Sequence, residues 1–363
     1  MLPRSKILRA LIYIPAKLYE LAIRLRMVLY EYEYLKPQEV EKTAVISIGN
    51  LTLGGTGKTP LVEYIARYLV EENLETAILT RGYRRQDSSR AQLVVSDGKN
   101  ILATVEEAGD EPFMLAQKLK GVRIVVGANR YETGCYAQDK LGCDVLLLDD
   151  GYQHLSLKRD LNILVLDATD PFGGGEMVPY GRMREPIYAM RRAQAIIITR
   201  ADRPFDQEEL SRVIDGLGLN IPIIYAYHDF VGLRELTTGA VAPLRKLNGA
   251  RVGMLCAIGN PQIFTEDLQG YQAQIVFEHT FTDHYHYRQA DIDNIVTQAQ
   301  EAQAEYLVTT EKDAVKLTGL QFGAMPVYVI EIKAQFEDEV KLKSVLLRAI
   351  MRKRGMTRFK NLD

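Results

Sequence analysis

The stretch Ser47-Ile48-Gly49-Asn50-Leu51-Thr52-Leu53-Gly54-Gly55-Thr56-Gly57-Lys58-Thr59-Pro60 decides the fold of this chain of 363 residues. An apolar run typical of a buried strand precedes it at 43–48, and a helical pattern follows it at 61–72. Glycines let successive backbone N–H groups turn toward one anion, and the start of the helix adds a favourable field. Lys58 would reach the β- and γ-phosphates of a nucleoside triphosphate, and Thr59 would offer its hydroxyl to Mg²⁺. The stretch therefore predicts a phosphate-binding loop whose nucleotide-binding residues are Gly54, Gly55, Thr56, Gly57, Lys58 and Thr59.

The order of glycines in this loop is uncommon. The usual phosphate-binding loop has a glycine five positions before its Gly-Lys-Thr, and this chain has Thr52 there. The Gly-Gly-x-Gly-Lys-Thr order resembles that of the deviant P-loop ATPases, whose signature lysine precedes the double glycine, where this chain has Leu53. A nucleotide-switch ATPase that regulates a partner or a membrane position is therefore one alternative function.

Strand and helix patterns alternate along the chain, which predicts a mainly parallel sheet with helices on both faces. The first series has strands at 44–48, 76–79, 124–126, 145–148, 163–166 and 196–199, with helices at 61–72, 112–119 and 129–140. The second series, after Asn220, has strands at 222–227, 251–257, 306–309 and 327–330 and helices at 261–268, 288–304 and 340–354. The predicted fold class is α/β, a P-loop NTPase-like α/β/α sandwich, and the predicted segments are 1–36, 37–222 and 223–363.

Composition limits the classes of function. The net charge is −2, so the overall balance predicts no nucleic-acid partner, and no motif predicts an obligate protein partner. The three cysteines, Cys135, Cys143 and Cys256, form no Cys-x-x-Cys pair, which favours a reducing, cytoplasmic setting.

The first 36 residues differ from the rest of the chain. They carry seven lysines and arginines against three glutamates, and apolar residues recur among them at mostly helical spacing. No apolar run reaches the roughly 20 residues of a spanning helix, and the alternation of charged and apolar residues is unlike a signal peptide. Two interpretations remain: a basic amphipathic helix on an anionic membrane surface, and a helix docked on the protein's own core.

Two apolar strands end in aspartate, the form of the strand that supplies a metal ligand in many ATPases. The first ends at Asp149 and continues into Asp150, and the second ends at Asp167. Because successive residues of a strand point to opposite faces, Asp149 and Asp150 can serve different partners. The polar loop after Asp149 favours that residue over Asp167.

A further acidic pair and a histidine pair are candidates for proton transfer. Asp110 precedes Glu111 at a predicted helix start, where it is either a helix cap or a general base toward an attacking hydroxyl. His284 and His286 lie among aromatic residues without a set of metal ligands at matching spacing. An imidazole that pairs with an acidic base is therefore the sharper hypothesis for this stretch.

Taken together, these motifs closely resemble those of the tetraacyldisaccharide 4'-kinases, the lipid A 4'-kinases of Gram-negative bacteria. The matching segments are Gly49-Asn50-Leu51, Gly54 to Pro60, Thr80-Arg81-Gly82-Tyr83, Gly109-Asp110-Glu111-Pro112, Val126 to Arg130, Asp149 to His154, Gly181 to Pro186, Asp283-His284 and Thr310 to Ala314. They cover nearly the whole chain in one specific order.

The resemblance implies that the γ-phosphate of ATP goes to the 4'-hydroxyl of tetraacyldisaccharide 1-phosphate, which gives lipid IVA. It also implies a second, smaller α/β/α domain, joined by a hinge, with the active site between the two domains. Because this lipid-linked substrate lies in the inner membrane, the resemblance favours a peripheral enzyme on the cytoplasmic face that docks through its N-terminal helix.

The resemblance and the motifs together assign roles to individual residues. The expected catalytic residues are Lys58, Asp110, Asp150, Arg184 and His284, the expected Mg²⁺ residues are Thr59, Asp149 and Glu185, and the expected substrate residues are Tyr83, Arg130, Gln153 and His154. Asp110 would act as base toward the sugar hydroxyl, and His284 would be its partner from the second domain. A kinase or ligase for a small soluble acceptor and a non-enzymatic nucleotide-binding scaffold are further alternatives.

Overall fold

The computed structural model describes residues 6–82 and 91–355. The strands are β1 (Ala44–Gly49), β2 (Thr76–Thr80), β3 (Gln92–Asp97), β4 (Arg123–Gly127), β5 (Val145–Asp149), β6 (Leu161–Asp167), β7 (Ala195–Thr199), β8 (Ile223–Glu235), β9 (Val241–Ala242), β10 (Arg251–Cys256), β11 (Gln274–Thr280), β12 (Tyr306–Thr310) and β13 (Val327–Phe336). The α-helices are α1 (Lys6–Glu31), α2 (Lys58–Glu71), α3 (Val105–Ala108), α4 (Asp110–Lys118), α5 (Arg130–Leu141), α6 (Gln207–Gly216), α7 (Pro261–Gly270), α8 (Gln289–Glu301), α9 (Glu311–Leu317) and α10 (Glu339–Lys353).

Across the described residues, the strands form one sheet in the order β11-β10-β12-β13-β8-β7-β6-β1-β5-β2-β4-β3, with β9 beside β8. Most neighbours are parallel; β3 runs antiparallel to β4, and β8 runs antiparallel to both β13 and β9. Parallel strands need helical crossovers that cover both faces, which is why the central strands β1, β5 and β6 are buried throughout. The predicted α/β class with a mainly parallel sheet is confirmed.

Strand β1 lies in the middle of the first half of the sheet, and all six of its residues are buried. Its alternate side chains enter different cores: Ile46 packs with helix α2 on one face, and Val45 packs with helix α5 on the other. Strand β5 is a direct neighbour, and Ile48 pairs with Asp149. This register brings the acidic end of β5 beside the glycine loop that leaves β1.

Strand β8 joins the two halves of the sheet. Its first residues, from Ile223 to Tyr225, pair with β7 in the parallel sense, and the rest, from Ala226 to Glu235, pairs with β13 in the antiparallel sense. Helix α10 then returns to the first half, where its Leu342 lies in the same core as Ile46. The domain boundary after residue 222 stays a prediction. It does not account for the packing of α10, which follows the boundary in sequence, on the first half of the sheet.

Helix α1 has two apolar faces. Ala16 and Met27 are buried, and the Met27 side chain lies in the core beside β6 and β7. A second stripe, made of Leu11, Ile14, Leu18, Leu21 and Leu25, is 57–64% exposed. The helix is therefore docked on the protein's core and also presents an apolar surface to its surroundings. Within the described ranges, no helix combines the length and the hydropathy that a membrane crossing requires.

Candidate active site

The glycine loop lies between β1 and α2, in the strand–loop–helix arrangement that the sequence predicts. Gly57 precedes the first helical residue, Lys58, and has a φ of 71°, a left-handed angle that favours glycine. A Cβ at Gly57 would also overlap the imidazole of His228, which packs against this turn from β8. The loop therefore needs glycine here for two independent reasons, one conformational and one steric.

The ammonium of Lys58 is held in place beside this loop by Asn50 and Asp150. Its Nζ lies 2.8 Å from Asn50 Oδ1 and 3.3 Å from Asp150 Oδ1. Asn50 Oδ1 also accepts a hydrogen bond of 2.7 Å from Arg184 Nη2. Lys58 and Arg184 therefore present two positive charges side by side, anchored by one amide and one carboxylate.

Asp150 orients Arg184. The guanidinium donates two hydrogen bonds to the carboxylate, of 2.8 and 2.9 Å, in the bidentate geometry that suits this pair. Loss of water around Asp150 raises the pKa of its carboxyl, but the positive charges of Lys58 and Arg184 outweigh this effect and hold the pKa well below its usual range. Asp150 is therefore an anion that fixes two cations.

Asp149 has the opposite electrostatic character. Burial, followed by the charges of Glu111 and Asp150, raises the pKa of Asp149 to about 7, against the opposing charges of Lys58 and Arg130. A buried carboxyl among other carboxylates is one that a bound cation would stabilise in its ionised form. Asp167, the competing strand-end aspartate, instead pairs with Arg200 and accepts from Thr169. This difference favours Asp149 as the metal residue.

Of the three predicted Mg²⁺ residues, Glu185 is engaged by other side chains. One carboxylate oxygen of Glu185 receives Arg192 Nη2 at 2.5 Å and Gln153 Nε2 at 3.2 Å, so Glu185 serves an internal ion pair. Across residues 6–82 and 91–355, no group of three or more His, Cys, Asp or Glu could hold a metal. Such a group is not required, because Mg²⁺ in kinase sites takes one or two protein carboxylates together with phosphate oxygens and waters.

Asp110 and His284 meet although 174 positions separate them in the chain. His284 Nδ1 lies 3.2 Å from Asp110 Oδ2. Gly109, with a φ of 91°, is the residue that caps α4, so Asp110 is the first helical residue rather than the cap. His284 itself has a φ of 63°. Helix α4 thus presents Asp110 from the first half of the sheet, and the loop after β11 brings His284 to it.

Cations from α9 surround this pair. Lys312 Nζ lies 3.2 Å from His284 Nε2 and 3.1 Å from both Asp283 Oδ1 and Glu111 Oε1. Burial raises the pKa of Asp110, but the hydrogen bond from His284 and the charges of Lys316 and Lys312 outweigh it, so that the pKa lies below its usual value. Asp110 is therefore ionised at neutral pH and able to accept a proton.

Of the predicted substrate residues, Tyr83 lies outside the described residues, and Arg130 is near enough to Asp149 and His154 to lower the pKa of both. Burial, followed by Arg130 and Arg159, lowers the pKa of His154 to about 4, so its ring is neutral at pH 7. Arg130 is buried, and its Nε has no hydrogen-bond partner in the part of the chain that the structure describes. Gln153 Nε2 donates a hydrogen bond of 2.9 Å to the backbone O of Asn50, which precedes the glycine loop.

Some residues of this site were missed by sequence reasoning. Asn50 was noted only as part of a motif, yet it holds both Lys58 and Arg184. His228 and Lys316 carry no local pattern, because their importance comes from a strand and a helix that reach the site from the second half of the chain. A single sequence contains no signal that would have found them.

A P-loop on a parallel sheet, with anchored cations over its mouth and an Asp–His pair beside its acidic strand, defines a phosphotransferase of the P-loop class. The model of the family tetraacyldisaccharide-1-P 4'-kinase matches residues 8–351. The chain therefore belongs to the tetraacyldisaccharide 4'-kinase family, and it is an enzyme, a kinase of lipid A biosynthesis.

Individual relatives agree with this assignment. The tetraacyldisaccharide 4'-kinase of Halothermothrix orenii is 39% identical, over 95% of this chain and 94% of its own length. That of Pelobacter propionicus is 42% identical, over 84% of this chain and 82% of its own length. The solved structure of the apo form of LpxK from Aquifex aeolicus in complex with ATP is 32% identical, with a TM-score of 0.76 over 94% of this chain and 99% of that one.

Proposed function

We propose that this kinase transfers the γ-phosphate of ATP to the 4'-hydroxyl of tetraacyldisaccharide 1-phosphate, with Asp110 as the general base. The observation that carries the proposal is the contact of 3.2 Å between His284 Nδ1 and Asp110 Oδ2. Glu111, the neighbour of Asp110, lies near enough to Asp149 to raise its pKa. The proton acceptor and the phosphate site therefore belong to one connected cluster.

The reaction is an in-line displacement. Asp110 takes the proton of the 4'-hydroxyl while that oxygen forms its bond to the γ-phosphorus, and the bond to the oxygen that bridges the β- and γ-phosphates breaks as ADP leaves. His284 orients the Asp110 carboxylate through the hydrogen bond of its Nδ1. Lys58 and Arg184 neutralise the negative charge that shifts toward ADP. Because His284 belongs to the second half of the chain, closure of the two halves would couple substrate capture to chemistry.

Mg²⁺ would be held by the hydroxyl of Thr59 and the carboxylate of Asp149, and when bound it supplies positive charge to the triphosphate oxygens. Two observations support the fit. The pKa of Asp149 is raised to about 7 among neighbouring carboxylates, and the hydroxyl of Thr56 in the loop is buried without a partner among the described residues. Glu185, engaged by Arg192, is left out of this metal site. ATP as the donor is supported by the Aquifex aeolicus relative, which was solved in complex with ATP.

The lipid substrate would enter between the basic residues near His154 and the exposed stripe of α1. Arg26, on the same helix as that stripe, is one of the cations that lower the pKa of His154, along with Arg130 and Arg159. This positive region would receive the 1-phosphate or the sugar hydroxyls, and the stripe would contact acyl chains or the membrane surface. The proposed location is therefore peripheral, on the cytoplasmic face of the inner membrane.

The test is phosphate transfer from γ-labelled ATP to tetraacyldisaccharide 1-phosphate in mixed micelles. The wild type should label the lipid, and both Lys58→Ala and Asp110→Ala should lose transfer by at least about 100-fold, as is typical when a positioned base or charge is removed. Val241→Glu, at an exposed site away from the loop, is the matched control and should retain transfer. ATP hydrolysis that depends on Lys58 but labels no lipid would overturn the proposal and favour the nucleotide-switch ATPase.

A further inference from the structure

A buried lysine–aspartate pair lies behind Asp110. The Lys316 side chain is 3% exposed and the Asp313 side chain is fully buried, with Lys316 Nζ 3.0 Å from Asp313 Oδ1. Asp313 also accepts hydrogen bonds from Tyr287 Oη at 3.0 Å, from Thr310 Oγ1 at 2.7 Å and from the backbone N of Ala257 at 3.0 Å. Its carboxylate is thus held from four directions.

Such a pair contributes little to stability on its own. Removing two charges from water costs several kcal/mol per ion in order of magnitude, and well-packed apolar residues in place of a buried ion pair often give a protein of equal stability. Stability therefore gives no reason for an ammonium at this point of the core. The position of the ammonium gives a reason, because Lys316 Nζ also lies 3.8 Å from Asp110 Oδ2.

Two cationic or donor groups therefore converge on the same oxygen of Asp110. His284 Nδ1 approaches Oδ2 at 3.2 Å and Lys316 Nζ approaches it at 3.8 Å, so the acceptor hydroxyl would meet Oδ1. Both groups come from the second half of the chain, one from a loop and one from α9. The Lys316 ammonium is also paired with Asp313 at 3.0 Å and lies 5.2 Å from the centroid of the Tyr287 ring, so three groups surround it in the core.

We infer that Lys316, anchored by Asp313, is a positioning residue for the general base: it fixes the orientation of the Asp110 carboxylate and supplies positive charge beside it. The inference rests on the proposed function, in which Asp110 accepts the proton. It adds that the base is complete only when α9 is docked on α4, since its supporting cation belongs to α9.

The inference predicts a change in the pH profile. Among the described residues, the titratable groups near Asp110 are His284 and Tyr287 from the loop after β11, Lys312 and Lys316 from α9, and its neighbour Glu111, which is paired with Lys312. Removing the Lys316 charge should raise the pKa of Asp110. A carboxylate base works only when ionised, so the acidic limb of the kcat/KM profile should move to higher pH, by about one unit or more.

The experiment compares the full-length wild type with Lys316→Met and Asp313→Asn in the micelle assay, measured from pH 5 to 9. Both variants should lower kcat by about 10- to 100-fold and leave the KM for ATP within a factor of about two because the P-loop is untouched. Lys316→Met should move the acidic limb upward, whereas Asp313→Asn should not, because it removes a negative charge and leaves the Lys316 ammonium in place. The double variant should be no worse than Lys316→Met alone, because Asp313 acts through Lys316. An unmoved acidic limb in Lys316→Met would overturn the inference.

A matched control separates this role from loss of a buried ion pair in general. Lys353 has the same pattern, with a side chain 9% exposed, Glu39 Oε1 at 2.6 Å and Asp160 Oδ1 at 3.8 Å, but it lies on α10, where Leu342 packs against β1. Lys353→Met should lower the free energy of unfolding without moving the acidic limb. A limb that moves equally in Lys353→Met would overturn the inference.

Two further variants keep the test decisive. If Lys316→Met fails to fold, Lys316→Gln, which removes the charge but keeps a donor for Asp313, should move the limb in the same direction; no movement there overturns the inference. Asp110→Asn distinguishes the two levels of the argument. Full transfer by Asp110→Asn would overturn the proposed base together with this inference, whereas an inactive Asp110→Asn beside a normal limb in Lys316→Met would overturn the inference alone.

Discussion

Lys118 and Glu311 form an ion pair of 2.7 Å that joins α4 to α9. The same Lys118 ammonium lies 2.5 Å from Glu63 on α2, the helix that begins at Lys58 of the glycine loop. Glu311 directly precedes Lys312, which touches His284. One lysine thus links the three helices that carry the loop lysine, the proposed base and the cations around its histidine.

Replacing Lys118 should therefore weaken the fold and the site together. In Lys118→Met two largely buried carboxylates lose their shared partner, which should lower the free energy of unfolding by about 3 kcal/mol. Burial already raises the pKa of Glu311, so this residue should become protonated and limit the loss. Urea unfolding measures the effect. Lys118, Glu311 and the exposed Lys333 all line one cavity of about 570 Å³, so Lys333→Met is the control. Equal losses in the two variants would contradict the prediction.

Gly57→Ala should block the phosphate site. The new Cβ would overlap the His228 ring, and an alanine at a φ of 71° is strained even where space is free. Nucleotide affinity should fall by about tenfold or more, since each 1.4 kcal/mol is a factor of ten, and calorimetric titration with ATP measures it. Gly216→Ala, at the end of α6, has no atom within 4 Å of the added Cβ and should bind ATP normally. Unchanged affinity in Gly57→Ala would contradict the steric argument.

Asp149→Asn should stabilise the protein without nucleotide, in a manner that depends on pH. The pKa of Asp149 is about 7 when folded, against 3.8 for a free side chain, so the folded chain binds more protons between those values and its free energy of unfolding falls as pH rises through them. Removing the charge should add on the order of 2 kcal/mol at pH 8 and almost nothing at pH 4.

Asp167→Asn is the matched control for this pH prediction, because Asp167 ends β6, the next strand along the chain, but the variant loses the partner Arg200. It should destabilise the protein at pH 8. Chemical unfolding at the two pH values decides the matter, and a stabilisation of Asp149→Asn that is equal at pH 4 and pH 8 would contradict the assigned origin.

The exposed stripe of α1 should determine membrane affinity. Leu18→Glu and Leu21→Glu replace side chains that are 63% and 64% exposed, so the folded protein should keep its thermal stability. Binding to vesicles that contain anionic lipid should weaken by about tenfold for each leucine, given roughly 1.5 kcal/mol for burial of such a side chain. Co-sedimentation measures this, with Val241→Glu, which is 76% exposed, as the control. Undiminished binding by the double variant would assign membrane contact elsewhere.

Much of the first half of the fold could be predicted from the sequence, because buried parallel strands are continuous apolar runs and their helices show a clear period. The elements that were not predicted are β3, β9, β11, α3, α6 and α9. Strand β11 lies at one edge of the sheet and β3 at the other, and such strands carry a weaker apolar signal. Only the first residues of β8 were predicted, since its later pairing partner, β13, lies about 100 positions further along the chain.

The site shows the same division. The proximity of Asp110 to His284 could be predicted because both belong to specific motifs, whereas the engagement of Glu185 by Arg192 could not, since any buried carboxylate takes the partner that the fold provides. The ion pair of Asp167 with Arg200 is likewise a tertiary property, set by the placement of Arg200 at the end of β7. Sequence patterns indicate which residues are buried, but they do not indicate which side chains those residues contact.

The return of α10 to the first half has a consequence for biosynthesis. Leu342 and Leu346 complete the core that surrounds Ile46, yet they are made after more than nine-tenths of the chain. On the ribosome, the half that carries the glycine loop would therefore wait with an uncovered apolar face until the last helix emerges. A nascent chain stopped before residue 339 should be a client of chaperones, and neither half should be obtainable as a stable fragment on its own.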